Sequence, residues 1–144
     1  MKIFEALRQD HDKQRALMKV LVDTEGDSAV RADFYKQLKE ELTNHATAEE
    51  RHFYSPLMQE DETVELSRHG VAEHHEIDEL LEELDNTDMA SSSWLSVMKQ
   101  LQDKVLHHLE EEEKEFFPQA GKTLSNTEKE QLADGYVNEM QELK

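Results

Sequence analysis

Apolar residues recur along this 144-residue chain at intervals of three and four, a spacing that predicts α-helices. In the first segment, Phe4, Leu7, Met18 and Leu21 lie on one helical stripe. The apolar residues do not alternate with polar ones in the period of two that is typical of a β-strand. The pattern therefore predicts an all-α protein.

Segments rich in Gly, Pro, Ser, Asn and Asp interrupt the helical pattern near residues 24–28, 56–61, 86–93 and 118–125. They separate five predicted helices, at about residues 2–24, 29–55, 62–86, 93–117 and 126–142. Ser125 and Glu128 predict a capping box at the start of the last helix. We expect a single domain over residues 1–144: an up-down-up-down four-helix bundle over about 2–120, with a short C-terminal fifth helix.

Composition and charge narrow the possible partners. The chain has 34 acidic residues and 16 Lys and Arg, for a formal net charge of −18. This balance argues against nucleic acid or an anionic membrane as a partner, since both require a basic surface. The chain has no cysteine, which excludes disulfides, thiolate metal sites and iron–sulfur clusters. With no apolar run long enough to span a membrane and no secretory leader pattern, we expect a cytoplasmic protein.

The histidines reveal an internal repeat. His11 and His45 are 34 residues apart, and so are His74 and His108. A shift of 63 residues superposes the first pair on the second. The same shift superposes several acidic residues, namely Asp10 on Glu73, Glu49 on Glu112 and Glu50 on Glu113. Two helix pairs of the same design therefore build the predicted bundle.

Six polar residues of this repeat lie on the apolar stripes of the predicted helices. Each of the four long helices carries one such histidine, and two of them carry a glutamate one turn later. Buried carboxylates are costly unless they are paired or bind metal, and bundle cores that collect carboxylates and imidazoles build di-metal sites. The candidate metal ligands are His11, His45, Glu49, His74, His108 and Glu112.

Over residues 3–120 these motifs resemble the hemerythrin-like HHE cation-binding family. The matching motifs are His11, His45-Ala46-Thr47-Ala48-Glu49, Glu73-His74, and His108 to Glu112 followed by Phe116-Phe117-Pro118. The resemblance implies a non-haem di-iron centre, with the four histidines as terminal ligands and the two glutamates as bridges. It also implies a protein that binds or senses dioxygen, or that responds to nitric oxide or peroxide.

Two positions depart from the oxygen-carrying members of that family. Gly70 stands where those proteins have a further histidine, and Glu113 stands at the position of their final aspartate. The predicted shell of four His and two Glu is poorer in imidazole, which favours a reactive, sensing or repair role over simple oxygen storage.

The metal, and some of the neighbouring residues, remain open at this point. Nitrogen and oxygen ligands leave iron favoured, with manganese or zinc as alternatives. Glu113 is the runner-up ligand, and His52 and His69 are candidates for joining the site. Asp10 and Glu73 either accept hydrogen bonds from imidazole N–H groups or face solvent.

We therefore expect a di-iron protein with two Fe ions that reacts with or senses dioxygen, nitric oxide or peroxide in iron or stress handling. The alternative is a non-catalytic iron-storage or oxygen-binding module, so whether the protein is an enzyme stays open. The expected partner is a small diatomic or peroxide ligand. The oligomeric state, monomer or weak dimer, cannot be chosen from the sequence.

Overall fold

The structure is a computed structural model that describes residues 1–26 and 28–144. Its long helical segments are interrupted twice by a single wide turn of π-helix. In chain order the elements are α1 (Ile3–Val22), α2 (Ala29–Glu49), π1 (Glu50–Tyr54), α3 (Ser55–Leu57), α4 (Val64–Asp85), α5 (Ser92–Glu111), π2 (Glu112–Phe116), α6 (Phe117–Thr123) and α7 (Asn126–Leu143). Asp27, within the first predicted break, lies outside the described residues.

The predicted all-α, up-down-up-down four-helix bundle is confirmed. Within the described residues every regular element is helical, and α1, α2, α4 and α5 are the four long helices of the bundle. The fifth helix, α7, packs on α1 and α2. Among the described helices there is none with the length and apolar composition of a membrane span.

Serine side chains fix where three of the helices begin. Ser28 accepts a hydrogen bond from the backbone N–H of Arg31, and Ser91 caps α5 in the same way. At α7 the predicted capping box is present, since the Ser125 hydroxyl accepts from the Glu128 N–H while the Glu128 carboxylate accepts from the Ser125 N–H. These caps satisfy backbone donors that have no partner within the helix.

One predicted helix end is wrong. The sequence predicts that the second helix ends at about residue 55 and the fourth at about 117, and the helical path continues two residues further to Leu57 and six residues further to Thr123. Pro56 and Pro118 each follow a π-helical turn and occupy the first turn of a new α-helical segment. Proline has no backbone N–H, and it is tolerated there because an N–H in the first turn of an α-helix has no carbonyl partner within that helix. These prolines therefore do not end the helices.

The bundle interior has three layers along its axis. An apolar layer at one end is built from α1, α2, α4 and α5 and contains the buried Trp94. A second apolar layer at the other end is built from the start of α1, the two π turns and α7. On α1 the two layers are separated by His11 and Gln14, which are both fully buried. The fold thus encloses a polar layer between two apolar ones.

Candidate metal centre

The six residues predicted from the repeat meet in the polar layer. Each of them is at most 5% exposed. Their nitrogen and oxygen atoms form two groups whose members lie within 4.8 Å of one another, and Glu49 belongs to both groups. The first group is His11, His45, Glu49 and Glu112, and the second is Glu49, His74 and His108.

Glu49 lies between two imidazoles. Its Oε1 is 3.4 Å from His45 Nε2, one helical turn earlier on α2, and 3.2 Å from His74 Nε2 on α4. Neither contact has the geometry of a hydrogen bond, and both Glu49 oxygens lack a hydrogen-bond partner among the described residues. A fully buried carboxylate in this condition is costly unless a cation occupies the space between the facing atoms.

Glu112 has the matching position in the second half of the repeat. Its Oε1 lies 3.1 Å from His11 Nε2, and its Oε2 lies 3.6 Å from His108 Nε2. The hydroxyl of Tyr54, on π1, donates a hydrogen bond to Oε2. In the described part of the chain, Glu112 Oε1 and all four imidazole Nε2 atoms have no hydrogen-bond partner.

The outer nitrogen of three imidazoles is held by a carboxylate. His74 Nδ1 lies 2.8 Å from Glu50 Oε2, and His108 Nδ1 lies 2.8 Å from Glu73 Oε1. His11 is held by Glu113 at 2.7 Å. An Nδ1–H that donates to a carboxylate leaves the Nε2 lone pair free and aimed inward, which is how metal-binding histidines are oriented.

The fourth imidazole is held differently. His45 Nδ1 lies 2.6 Å from the hydroxyl oxygen of Tyr136 on α7. That hydroxyl donates to Asp10 on α1, so the His45 N–H donates to the tyrosine oxygen. The net effect on His45 is the same, because its Nε2 is again left facing the interior.

Two imidazoles of the polar layer, those of His11 and His74, have a raised pKa. Burial by itself lowers the pKa of His11, but the nearby carboxylates of Glu112 and Glu113 outweigh burial and raise the pKa to about 9. Burial likewise opposes the shift at His74, where Glu49 contributes to raising the pKa to about 10. Without metal, protons on these imidazoles therefore balance the buried carboxylates.

The two central carboxylates have opposite pKa shifts. Burial raises the pKa of Glu49, but the nearby imidazoles of His45 and His74 outweigh it, and the pKa lies well below its usual value. At Glu112, burial and the charge of Glu49 raise the pKa. Two carboxylates this close cannot both ionise at low cost without positive charge between them.

The π turns aim aromatic side chains at the centre. Tyr54 comes five residues after Glu49, and Phe117 comes five after Glu112. In a regular α-helix five residues turn the side chain roughly 140° away from the first, whereas the wider π turn brings it back to the same face. The Phe117 ring stacks on His11 at 5.8 Å between centroids, so these aromatic rings form a floor under the polar layer.

Tyr54 also explains the glycine at position 70. A Cβ atom built on Gly70 would lie 2.5–2.7 Å from the ring and hydroxyl of Tyr54, which is closer than atoms can approach. The Tyr54 ring stacks on His74 with centroids 5.3 Å apart. The space in which a side chain at position 70 would lie is therefore filled by Tyr54.

The remaining sequence candidates lie around the six-residue cluster. Glu113 binds His11 and the guanidinium of Arg15, on the outer side of the imidazole. His52 faces α7, where its Nε2 contacts Glu139 at 2.8 Å. His69, half exposed, lies 3.0 Å from Glu111 and 3.3 Å from Glu73 in a group nearer the surface.

Sequence reasoning named Asp10 and Glu73 as possible acceptors and missed Tyr136. The repeat superposes Glu50 on Glu113, and in the structure each of them contacts the Nδ1 atom of a histidine. Their equivalent positions in the repeat could therefore have indicated that they have the same role. Tyr136 had no comparable signal, because it lies on α7, which has no counterpart in the repeat.

The residues present suit a divalent cation pair. Four Nε2 atoms, both oxygens of Glu49 and one of Glu112 are buried without hydrogen-bond partners in the described chain, and they face one another. Imidazole and carboxylate are the ligands that iron, manganese and zinc share. The fold and this cluster define a helical-bundle protein with a metal-binding site.

Residues 2–120 match the sequence model of the hemerythrin HHE cation binding domain. The chain therefore belongs to the hemerythrin HHE cation-binding family.

Two known proteins are similar to this chain, one in structure and one in sequence. A solved structure of a hemerythrin HHE cation binding domain-containing protein from Mycobacterium kansasii superposes with a TM-score of 0.89. It is 20% identical, and the match covers 99% of this chain and 87% of that one, which shows a shared fold. A DNA nickase from Nostoc sp. is 29% identical over 136 residues, covering 92% of this chain. The match spans only 37% of the Nostoc protein.

Replacing Gly70 by Ala should destabilise the protein by about 1–3 kcal/mol, because the new methyl group displaces the packed Tyr54 ring. The control is Gly121→Ala on α6, where a Cβ meets nothing closer than 3.9 Å. That change should stabilise the helix by about 0.5–1 kcal/mol. Urea denaturation of the metal-free variants measures both effects. Equal stabilities for the two variants would contradict this account of Gly70.

Proposed function

We propose that the polar layer holds two iron ions, and that the loaded protein reacts with or senses a small oxidant such as dioxygen, nitric oxide or peroxide. Bound iron would supply the redox chemistry and the open coordination positions. The observation that carries the proposal is the set of buried Nε2 and carboxylate atoms that face one another without hydrogen-bond partners. The proposed ligands are His11, His45, Glu49, His74, His108 and Glu112.

A small cavity beside the proposed ligands supports a small reactant. Among the residues lining it are His45, His74 and His108, and it lies on the side of the polar layer away from the aromatic floor. The cavity has a volume of about 10 Å³, which is room for about one water molecule. An organic substrate is too large for this space.

Gln14 gives this cavity a hydrogen-bond donor. Its side chain is 1% exposed, it lines the cavity, and its amide Nε2 has no hydrogen-bond partner in the described part of the chain. An unpaired buried N–H costs about 1–3 kcal/mol, and an oxygen atom of a bound ligand would remove that cost. This arrangement favours a ligand with a hydrogen-bond-accepting atom.

A surface groove leads toward the cavity. The groove, about 320 Å³, lies between α2 and α4 and is lined in part by Thr43 and Thr47. Ala46, His74 and Asp78 line both the groove and the inner cavity. These three residues are the barrier that a small molecule would pass on its way from solvent to the proposed centre.

We do not propose for this chain the DNA-nicking activity that is named for the Nostoc protein. That protein is much longer than the matched region. The net charge of −18 also disfavours contact with a phosphate backbone.

Substituting His45 or Glu49 by Ala should remove most of the iron bound by the wild-type protein, because each change deletes a ligand at the centre. His107→Ala is the matched control, since the His107 side chain is 70% exposed and pairs with Glu111 near the surface. Metal analysis after anaerobic loading with Fe(II) and gel filtration measures the retained iron. Wild-type iron content in the Glu49 or His45 variant would refute the ligand assignment.

Admitting and then withdrawing oxygen from the Fe(II)-loaded protein separates the possible roles. A visible band that appears and reverses indicates oxygen binding or sensing. Irreversible conversion to a ferric spectrum, with turnover of added peroxide or nitric oxide, indicates a reactive centre. Irreversible oxidation without turnover favours iron storage, the alternative function. The absence of any iron-dependent spectrum would contradict the di-iron proposal.

Gln14→Leu should weaken the binding of a small anion to the iron-loaded protein by about tenfold, the effect of losing one hydrogen bond of ~1.4 kcal/mol. The metal-free variant should be more stable than wild type, because an unpaired buried amide is removed. Azide titration and urea denaturation measure the two effects. Unchanged azide affinity would show that Gln14 does not contact the ligand.

A further inference from the structure

Tyr136 reaches the polar layer from outside the four-helix bundle. It lies on α7, beyond the residues 2–120 that match the family model, and its side chain is 1% exposed. Its hydroxyl makes two hydrogen bonds, accepting from His45 Nδ1 at 2.6 Å and donating to the Asp10 carboxylate. A buried tyrosine whose only polar atom is used in this way is more than a packing residue.

The internal repeat shows what Tyr136 replaces. A shift of 63 residues superposes Asp10 on Glu73 and His45 on His108. In the second half, Glu73 contacts His108 Nδ1 directly at 2.8 Å. In the first half, the carboxylate and the imidazole are connected through Tyr136.

The other two imidazoles follow the repeat without an intermediary. Glu50 holds His74 Nδ1 at 2.8 Å, and its repeat equivalent Glu113 holds His11 Nδ1 at 2.7 Å. Of the four carboxylate–imidazole pairs, Asp10 and His45 are therefore the pair that is not in direct contact. The chemical difference is one methylene, because Asp10 has a shorter side chain than Glu73.

We propose that Tyr136 is a positioning residue for His45, filling the distance that the shorter Asp10 side chain leaves. Its oxygen accepts the His45 Nδ1–H, and its own proton goes to Asp10, so the imidazole is held with Nε2 facing Glu49. The inference rests on the proposed metal centre, and it makes α7 part of that centre rather than an added surface helix.

Other contacts hold α7 at the depth that this role requires. A Cβ atom on Gly135, the neighbour of Tyr136, would lie 2.6 Å from the His52 ring, so the glycine allows close approach to π1. One turn later, Glu139 accepts from His52 at 2.8 Å and pairs with Arg51. The helix is thus fixed against the same segment that follows Glu49.

The test replaces the tyrosine hydroxyl alone. In Tyr136→Phe the affinity for Fe(II) should fall about 10–100-fold, the usual effect of removing a group that orients a metal-bound histidine. Tyr35→Phe is the matched control, because the Tyr35 hydroxyl also contacts a carboxylate, Asp85, but at the far apolar layer. Competition with a metal chelator measures affinity for wild type and both variants.

A spectroscopic readout separates positioning from general loss of stability. Co(II) replaces iron as a probe whose visible bands report ligand geometry. The bands should change in Tyr136→Phe and remain those of wild type in Tyr35→Phe. Wild-type bands together with wild-type affinity in Tyr136→Phe would overturn the inference.

Restoring the repeat supplies the decisive variant. In Asp10→Glu combined with Tyr136→Phe, the longer carboxylate can reach His45 as Glu73 reaches His108. Affinity and Co(II) bands should return toward wild type. Failure of this double variant to recover, while Tyr136→Phe is impaired, would show that the Tyr136 hydroxyl does not act by connecting Asp10 to His45, and would overturn the inference.

A metal-free measurement keeps this inference separate from the proposed function. The His45 Nδ1–H, protected by its hydrogen bond, should give a slowly exchanging downfield proton resonance in the wild type and lose it in Tyr136→Phe. Presence of this resonance in a protein that binds no iron would refute the di-iron proposal and leave the Tyr136 contact supported. Its persistence in Tyr136→Phe would refute the contact itself.

Discussion

The structure depends on the burial of two carboxylates, Glu49 and Glu112, between apolar layers at the middle of a helical bundle. Removing such groups from water is costly unless positive charge lies beside them. The His11 and His74 imidazoles, whose pKa values are raised by the neighbouring carboxylates, supply that charge in the metal-free protein. The same arrangement suits a pair of divalent cations, whose binding would displace the protons.

The outer contacts follow from the requirement that each imidazole face inward. Every Nδ1 has an acceptor, and three of these acceptors are carboxylates supplied by the bundle helices themselves. The excess of acidic residues on this chain is therefore partly structural, since acids hold the histidines from outside. The remaining contact recruits a tyrosine from α7, so the fifth helix is joined to the polar layer.

The two π turns connect the polar layer to the aromatic floor. A regular α-helix would direct Tyr54 and Phe117 away from Glu49 and Glu112, and the added residue in each turn brings them back. Tyr54 then donates to Glu112 and fills the space beside Gly70. The Tyr54 ring thus occupies the space that a side chain at position 70 would need, so the two residues depend on each other.

The sequence by itself determined the fold class, the capping box of α7 and the six residues that meet in the polar layer. Helical periodicity and a 63-residue repeat place them on matching helix faces, and neither depends on long-range contacts. The tertiary structure alone decided the contact between Tyr136 and His45, the cavity at Gln14 and the path of the helices through Pro56 and Pro118. The spacing of residues along the sequence does not show which distant helix packs on a given histidine. A π turn changes the direction in which the following side chains point, and the order of residues does not reveal it.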